Sequence, residues 1–256
     1  LPPRITYQPQ FNNDVIYNIQ DSDIFFFEYD VNITNRAVKL NTIVNSRAVP
    51  EQVGKVMFAA SGHLLALSCT SFGRSTTAGQ SISSITRTGT TATVTTGSGH
   101  GLSVYDWVQF DGQAPSAYQG EFQVVSVPSS TTFTYTLPYD PGGSASPAGT
   151  YVKVVYSGTL DPMLIRFANV DATTGPQPTE WKPELTNSAG FIRVKQGSQI
   201  MTGFRTRQEV LIFTDIALST LQFLGTEEVF AIQEISDSIN IIAPKVVAEA
   251  NNVVYW

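Results

Sequence analysis

The sequence predicts an all-β protein, and three observations carry the prediction. Thr, Val, Ile, Phe and Tyr recur in short apolar runs bounded by Gly, Pro, Asn, Asp or Ser, the pattern of strands separated by turns. No segment holds a 3.6-residue helical period for three turns. Residues 215–224 and 242–249 come nearest, but both are rich in β-branched or aromatic residues and read as strands. Composition also steps sharply in mid-chain. From 79 to 156, 33 of 78 residues are Ser, Thr or Gly and six are charged, against 30 charged residues in the other 178. Charge density roughly doubles outside the segment, and such a step marks a domain boundary.

The chain therefore divides into a body, 1–78 and 157–256, and a small inserted β-domain, 79–156. Strands in the insert are expected at 81–87, 91–96, 106–110, 120–127, 132–137 and 150–155. In the fifth, Phe133, Tyr135 and Leu137 face one side and the threonines the other, as a half-buried strand requires. Gly, Pro, Asp and Ser supply turns between them. Six short strands in one small domain fit a sandwich or a barrel. The ends of the insert should lie close together. Without it, 64–74 would run almost directly into 159–167, two apolar strands around a short polar loop, as in a hairpin.

The body carries a faint repeat of strand–turn–strand segments at 55–67, 199–213 and 245–256. Ile200 and Val246 are 46 residues apart, near the roughly 40–50 of one four-stranded propeller blade. Val56 and Ile200 are 144 apart, or 66 once the 78-residue insert is subtracted. Residues 199–204, 209–214, 217–223 and 229–235 supply four strands in order. The expectation is a partial or complete β-propeller-like body of four-stranded antiparallel blades, with a generic antiparallel meander as the alternative. At about 45 residues per blade the body holds at most four blades. With an uncapped apolar end at Trp256, it is expected to continue beyond the chain end.

The formal charge of −6 argues against sequence-reading DNA binding but suits a wall that DNA slides past. No apolar run approaches the roughly 20 residues of a membrane helix. The single cysteine, Cys69, reads as a buried small hydrophobe, and His63 and His100 read as solvated turn residues. Phosphate-loop, nucleophile-elbow, dinucleotide, zincin and EF-hand spacings are all missing, so no catalytic, cofactor or metal residues are assigned. The body carboxylates, Glu227 and Glu228 among them, read as turn caps and polar loop residues. The sequon at Asn32 sits in a strand-like run and is discounted. The insert aromatics Tyr105, Trp107, Phe110, Tyr118, Phe122 and Tyr139 read as core. Tyr118 and Tyr139, in expected loops, are the two candidates for contact with a glycan.

Three stretches of the body carry a resemblance. They are Thr159-Leu160-Asp161-Pro162-Met163-Leu164-Ile165-Arg166-Phe167-Ala168-Asn169, then Thr179-Glu180-Trp181-Lys182-Pro183 with Asn187-Ser188-Ala189-Gly190, then Thr206-Arg207-Gln208-Glu209-Val210-Leu211-Ile212-Phe213-Thr214-Asp215. They resemble tail structural proteins of tailed bacteriophages, of the tail nozzle (tail tubular protein B) and packaged-DNA stabilisation kind. Phe167 and Phe213 stand where that family commonly has Trp, which keeps the aromatic packing. The resemblance covers 160–256 and, more loosely, 50–74. It implies a propeller-bearing virion protein in a homo-oligomeric ring, commonly six-fold, below the portal and adaptor. The ring forms an exit channel for double-stranded DNA, and the family has no catalytic residues to transfer. In the insert, Gly99-His100-Gly101-Leu102 through Val108, Tyr118-Gln119-Gly120-Glu121-Phe122 and Thr132-Phe133-Thr134-Tyr135 resemble Ig-like accessory domains of phage proteins. That likeness implies a β-sandwich and weak adhesion to cell surfaces. The family usually has Gly where Tyr105 stands.

The expectation is a non-enzymatic virion tail component, nozzle- or hub-like, that works by assembly. The alternatives are a receptor-binding tail protein that contacts host surface glycans through the insert, and a glycan-degrading propeller.

Overall fold

The computed structural model describes residues 6–29, 34, 36–251 and 253–256; the sequon residue Asn32 lies outside them. The chain forms two compact units, Leu1–Phe72 with Gly158–Trp256, and Gly73–Ser157. Among the described residues regular structure is all-β apart from two short 3-10 turns.

The first unit opens with a five-stranded antiparallel sheet. Its members are β1 (Thr6–Tyr7), β2 (Gln10–Phe11), β3 (Asp14–Ile19), β4 (Ile24–Phe27) and β5 (Val38–Lys39), in the order β1-β3-β4-β5 with β2 also on β3. A second sheet starts with β6 (Lys55–Phe58) and β7 (Leu64–Thr70). The chain then builds the second unit from β8 (Arg74–Thr76), β9 (Gln80–Thr88), β10 (Thr91–Thr96), β11 (Trp107–Asp111), β12 (Gly120–Ser129), β13 (Thr132–Thr136) and β14 (Thr150–Tyr156). It returns as β15 (Leu160–Phe167), makes the hairpin β16 (Asn169–Asp171) and β17 (Gly175–Gln177), and completes the second sheet with β18 (Gly190–Arg193). A four-stranded meander follows: β19 (Ile200–Arg205), β20 (Glu209–Thr214), β21 (Leu218–Phe223) and β22 (Phe230–Ser236). A hairpin of β23 (Ala248–Ala250) and β24 (Val253–Tyr255) comes last.

β7 and β15 pair antiparallel as the two arms of one hairpin, from Leu160 opposite Thr70 to Phe167 opposite Leu65, with a bulge between Asp161 and Ile165. Every residue of β7 is buried, because it is a central strand, and its first half, Leu64 to Leu67, reads as an unbroken apolar run for that reason. One face meets the meander through Leu65, Leu67, Ile165, Ile200, Ile212 and Leu221. The first sheet is tied in by Asn18, which is fully buried. Its Oδ1 accepts from Val56 N at 3.0 Å, and its Nδ2 donates to Val53 O at 2.7 Å.

The second unit departs from the expected sandwich. Its strands run β11-β12-β13-β10-β9-β14, and β14 pairs with β11 again, so six antiparallel strands close into a barrel. Closure follows from β14, which holds β9 through Thr150 and Tyr151 and β11 along most of its length. The two edges a sandwich would leave open are thereby paired. The interior is filled by Phe110, Phe133, Tyr135, Tyr151 and Tyr118, all nearly inaccessible, with Phe110 and Tyr135 stacked at 4.6 Å. Residues 73–78 were expected in the body. They belong to this unit, because Arg74–Thr76 pairs with the end of β14.

Two further expectations change. Residues 242–247 form no strand, since Pro244 removes a ladder donor and the backbone turns, Val246 N bonding Ala243 O. Tyr105, expected in the core, is 38% exposed and adopts φ +74°, the left-handed region that favours Gly.

The unit ends meet: Ser157 N donates to Gly73 O at 3.1 Å, and Ser71 N donates to Thr159 O at 2.9 Å. Replacing Gly73–Ser157 by a short turn is therefore expected to leave a body that unfolds cooperatively, with stability changed by no more than about 2 kcal/mol; chemical denaturation followed by circular dichroism checks this. Gly190 is different. A Cβ there would sit 2.7 Å from Phe167 Cζ, so Gly190→Ala is expected to cost roughly 1–3 kcal/mol by the same measurement.

Candidate functional site

The body opens into a cleft of about 1140 Å³, walled by β16, the segment 184–192 and the turn before β22. Its walls follow from local chemistry. Asp171 makes the β16–β17 turn, its carboxylate accepting from Thr174 N at 2.7 Å and Thr173 N at 2.8 Å; these bonds, with that of the Thr174 hydroxyl, hold it below the usual carboxylate range. The segment before the cleft is anchored by Trp181, fully buried, whose indole donates to Pro178 O at 2.7 Å. Arg166, buried on β15, reaches this segment and an earlier loop together: Nη2 donates to Trp181 O at 3.0 Å and Ala48 O at 2.7 Å. Burial lowers its pKa to about 10, within the range where it stays cationic at neutral pH.

Under the cleft lies a polar network that the sequence did not reveal. His63 is buried, not solvated, among Phe167, Phe223 and Phe230, with ring centroids 5.1 Å apart for the closest pair. Its Nδ1 lies 2.9 Å from Ser61 Oγ and its Nε2 3.1 Å from Ser188 Oγ. Ser188 Oγ also meets Asn169 Oδ1 at 2.9 Å and accepts from Val170 N at 2.8 Å. A neutral imidazole protonated on Nε2 satisfies the set: Ser61 donates to Nδ1, Nε2 donates to Ser188, and Ser188 donates to Asn169.

A Ser–His contact invites a nucleophilic reading, and two features oppose it. Burial drives the His63 pKa down to about 4, which makes it a weak base at neutral pH. Its other nitrogen meets a serine, where a carboxylate would be needed to stabilise an imidazolium. Cys69 is equally inert: it is fully buried, and burial pushes its thiol up to about 12. No group of three or more His, Cys, Asp or Glu able to hold a metal is present among the described residues.

The two candidate glycan contacts separate. Tyr118 is fully buried in the barrel, in the 3-10 turn Ser116–Tyr118, with its hydroxyl donating to Gly143 O at 2.5 Å. A ring with no free face cannot stack on a sugar, so that expectation is corrected: a loop residue in sequence became core because the turn folds inward. Tyr139 is 53% exposed, beside the Arg87–Asp140 ion pair. His100 is also buried, where a solvated turn residue was expected. Its Nε2 donates to Ser129 O at 3.0 Å and its Nδ1 accepts from Leu102 N at 2.9 Å, which pins the Gly-His-Gly turn to the β12–β13 turn.

The chain matches no model of a known protein family, and no curated protein matches it. No helix among the described residues is long and apolar enough to cross a membrane.

His63 sets a pH dependence. Its folded pKa, about 4, lies below the ordinary 6.5, so between these values the unfolded chain binds a proton that the folded chain refuses. Stability is then lost as pH falls from 6.5 toward 4, at roughly 1.4 kcal/mol per pH unit from this residue. Urea midpoints measured from pH 7 to 4 are expected to fall more steeply for the wild type than for His63→Gln; equal slopes would refute the assignment.

Proposed function

We propose that the chain is a structural component of a phage virion tail, nozzle- or hub-like, working by assembly and not by catalysis. In this reading the body is propeller-like and forms a homo-oligomeric ring against portal- and adaptor-side proteins, through which double-stranded DNA passes without sequence recognition.

One observation carries the reading: the leading strands of three successive antiparallel sheets converge. Lys55 on β6 donates to Gly203 O at 2.6 Å and Thr202 Oγ1 at 3.0 Å on β19, and its ammonium lies 5.0 Å from the centre of the Tyr7 ring on β1. Lys245, ahead of β23, shares that ring at 5.7 Å. Sheets that follow one another in the chain and meet at their first strands are what blades around an axis require. The resemblance of 160–256 to tail nozzle proteins supports the same reading, as do the net charge of −6 and the weak basicity of His63. Of its two candidate contacts the adhesion alternative retains only Tyr139, with Tyr105 the other exposed aromatic of the insert, and is the weaker for it.

The expected outcome is a ring-shaped oligomer of the purified chain in electron micrographs, and loss of packaged DNA from particles that lack it. A chain that stays monomeric at high concentration, together with particles that keep their DNA without it, would overturn the proposal.

A further inference from the structure

The cleft carries two charges that no cation among the described residues pairs. Glu184 on its wall is matched by Lys182 at 2.9 Å and Arg47 at 3.1 Å. Glu227 and Glu228, in the turn between β21 and β22, have no cation within ion-pair distance among the described residues. The rim beside them is apolar and open: Phe191 is 55% exposed and Leu185 is fully exposed. Carboxylates next to an accessible aromatic face form a receptor for a guanidinium, which can pair in a fork with one and stack on the other.

The same molecule offers such a group. Arg205 and Arg207 stand exposed at the turn between β19 and β20, again with no carboxylate partner among the described residues. Because β19 to β22 form a simple meander, this turn and the Glu227–Glu228 turn lie at the same end of the sheet. They join its first two and its last two strands, so their midpoints lie about two strand spacings, roughly 10 Å, apart. Among the described residues no ion pair joins the two turns within one chain, and all four charged side chains are exposed, so both sets of charges are open to another copy.

We propose that the cleft receives the Arg205 and Arg207 turn of a second copy of this chain, with the guanidinium groups on Glu227 and Glu228 and against Phe191. Each copy gives its turn to one neighbour and its cleft to another, a heterologous contact that closes into a ring where the rotation allows. The inference rests on the assembly reading above and adds the surfaces that would build it.

The test uses the full chain and its oligomeric state by sedimentation. The wild type is expected to assemble, with assembly weakened on raising salt from about 0.05 to 0.5 M. R205E/R207E and E227R/E228R are each expected to weaken assembly at least about tenfold. Mixing the two variants should restore it, since each then supplies what the other lost. Circular dichroism confirms that both remain folded. Variants that assemble as the wild type does, or that stay apart when mixed, overturn this interface and leave the ring reading standing. A wild type that never assembles removes the ring reading and this interface with it. A wild type that stays monomeric but captures a synthetic Arg-rich peptide in its cleft would show a foreign basic partner in place of a second copy, and would also overturn the proposal.

Discussion

The body depends on one half-buried ammonium. Lys55 has no carboxylate partner among the described residues; from its own sheet it reaches a hydroxyl and a carbonyl of β19 and the face of the Tyr7 ring on β1, so that three sheets meet at one ammonium. Burial, with Lys245 adding repulsion, draws its pKa down to about 8, the mark of a charge in a poor solvent. Such a group is costly unless its donors are met, so the first strands must keep their relative positions to meet them. Gly203 makes the approach possible. A Cβ there would lie 2.5 Å from Leu67 Cδ1 and 2.8 Å from Met57 Sδ, so any larger residue would push those side chains aside where β19 brings its carbonyl to the ammonium.

The sheets are joined elsewhere by the same device, a buried polar side chain that bonds to backbone. Asn18 serves β6 from the first sheet, and Arg166 serves two loops from β15. Backbone groups at sheet boundaries have no ladder partner, and these side chains satisfy them. The functional reading follows from this economy of chemistry. Asn18 and Arg166 are committed to holding loops and sheets together, whereas Arg205, Arg207, Glu227 and Glu228, unpaired among the described residues, lie on the surface.

Much of the strand pattern was legible in the sequence, for identifiable reasons. The strands of the insert and those from 199 to 236 fall within a residue or two of their expected positions, because alternation such as Phe133, Tyr135 and Leu137 is a local property. The pairing of β7 with β15 was visible because both arms are apolar and end beside polar turns. What stayed hidden depends on distant partners. A sandwich and a barrel differ only in whether β14 meets β11, which no local period encodes. His63 and His100 looked like turn residues because their polar neighbours in sequence are plain, while the phenylalanines that bury them are remote. The cleft escaped for the same reason: Ser188, Phe191 and Glu227 come together only through tertiary packing.

The meeting of the two arms around the insert bears on the order in which the protein forms. Before the hairpin of β7 and β15 can close, about 85 residues must intervene. If that stretch were unstructured, closing it would cost roughly 2.7 kcal/mol more than closing a four-residue turn. A barrel that has already folded presents Gly73 and Ser157 side by side, so the connection behaves as a short one. During synthesis the insert emerges complete before β15 does, and a pairing that is distant along the chain becomes kinetically local.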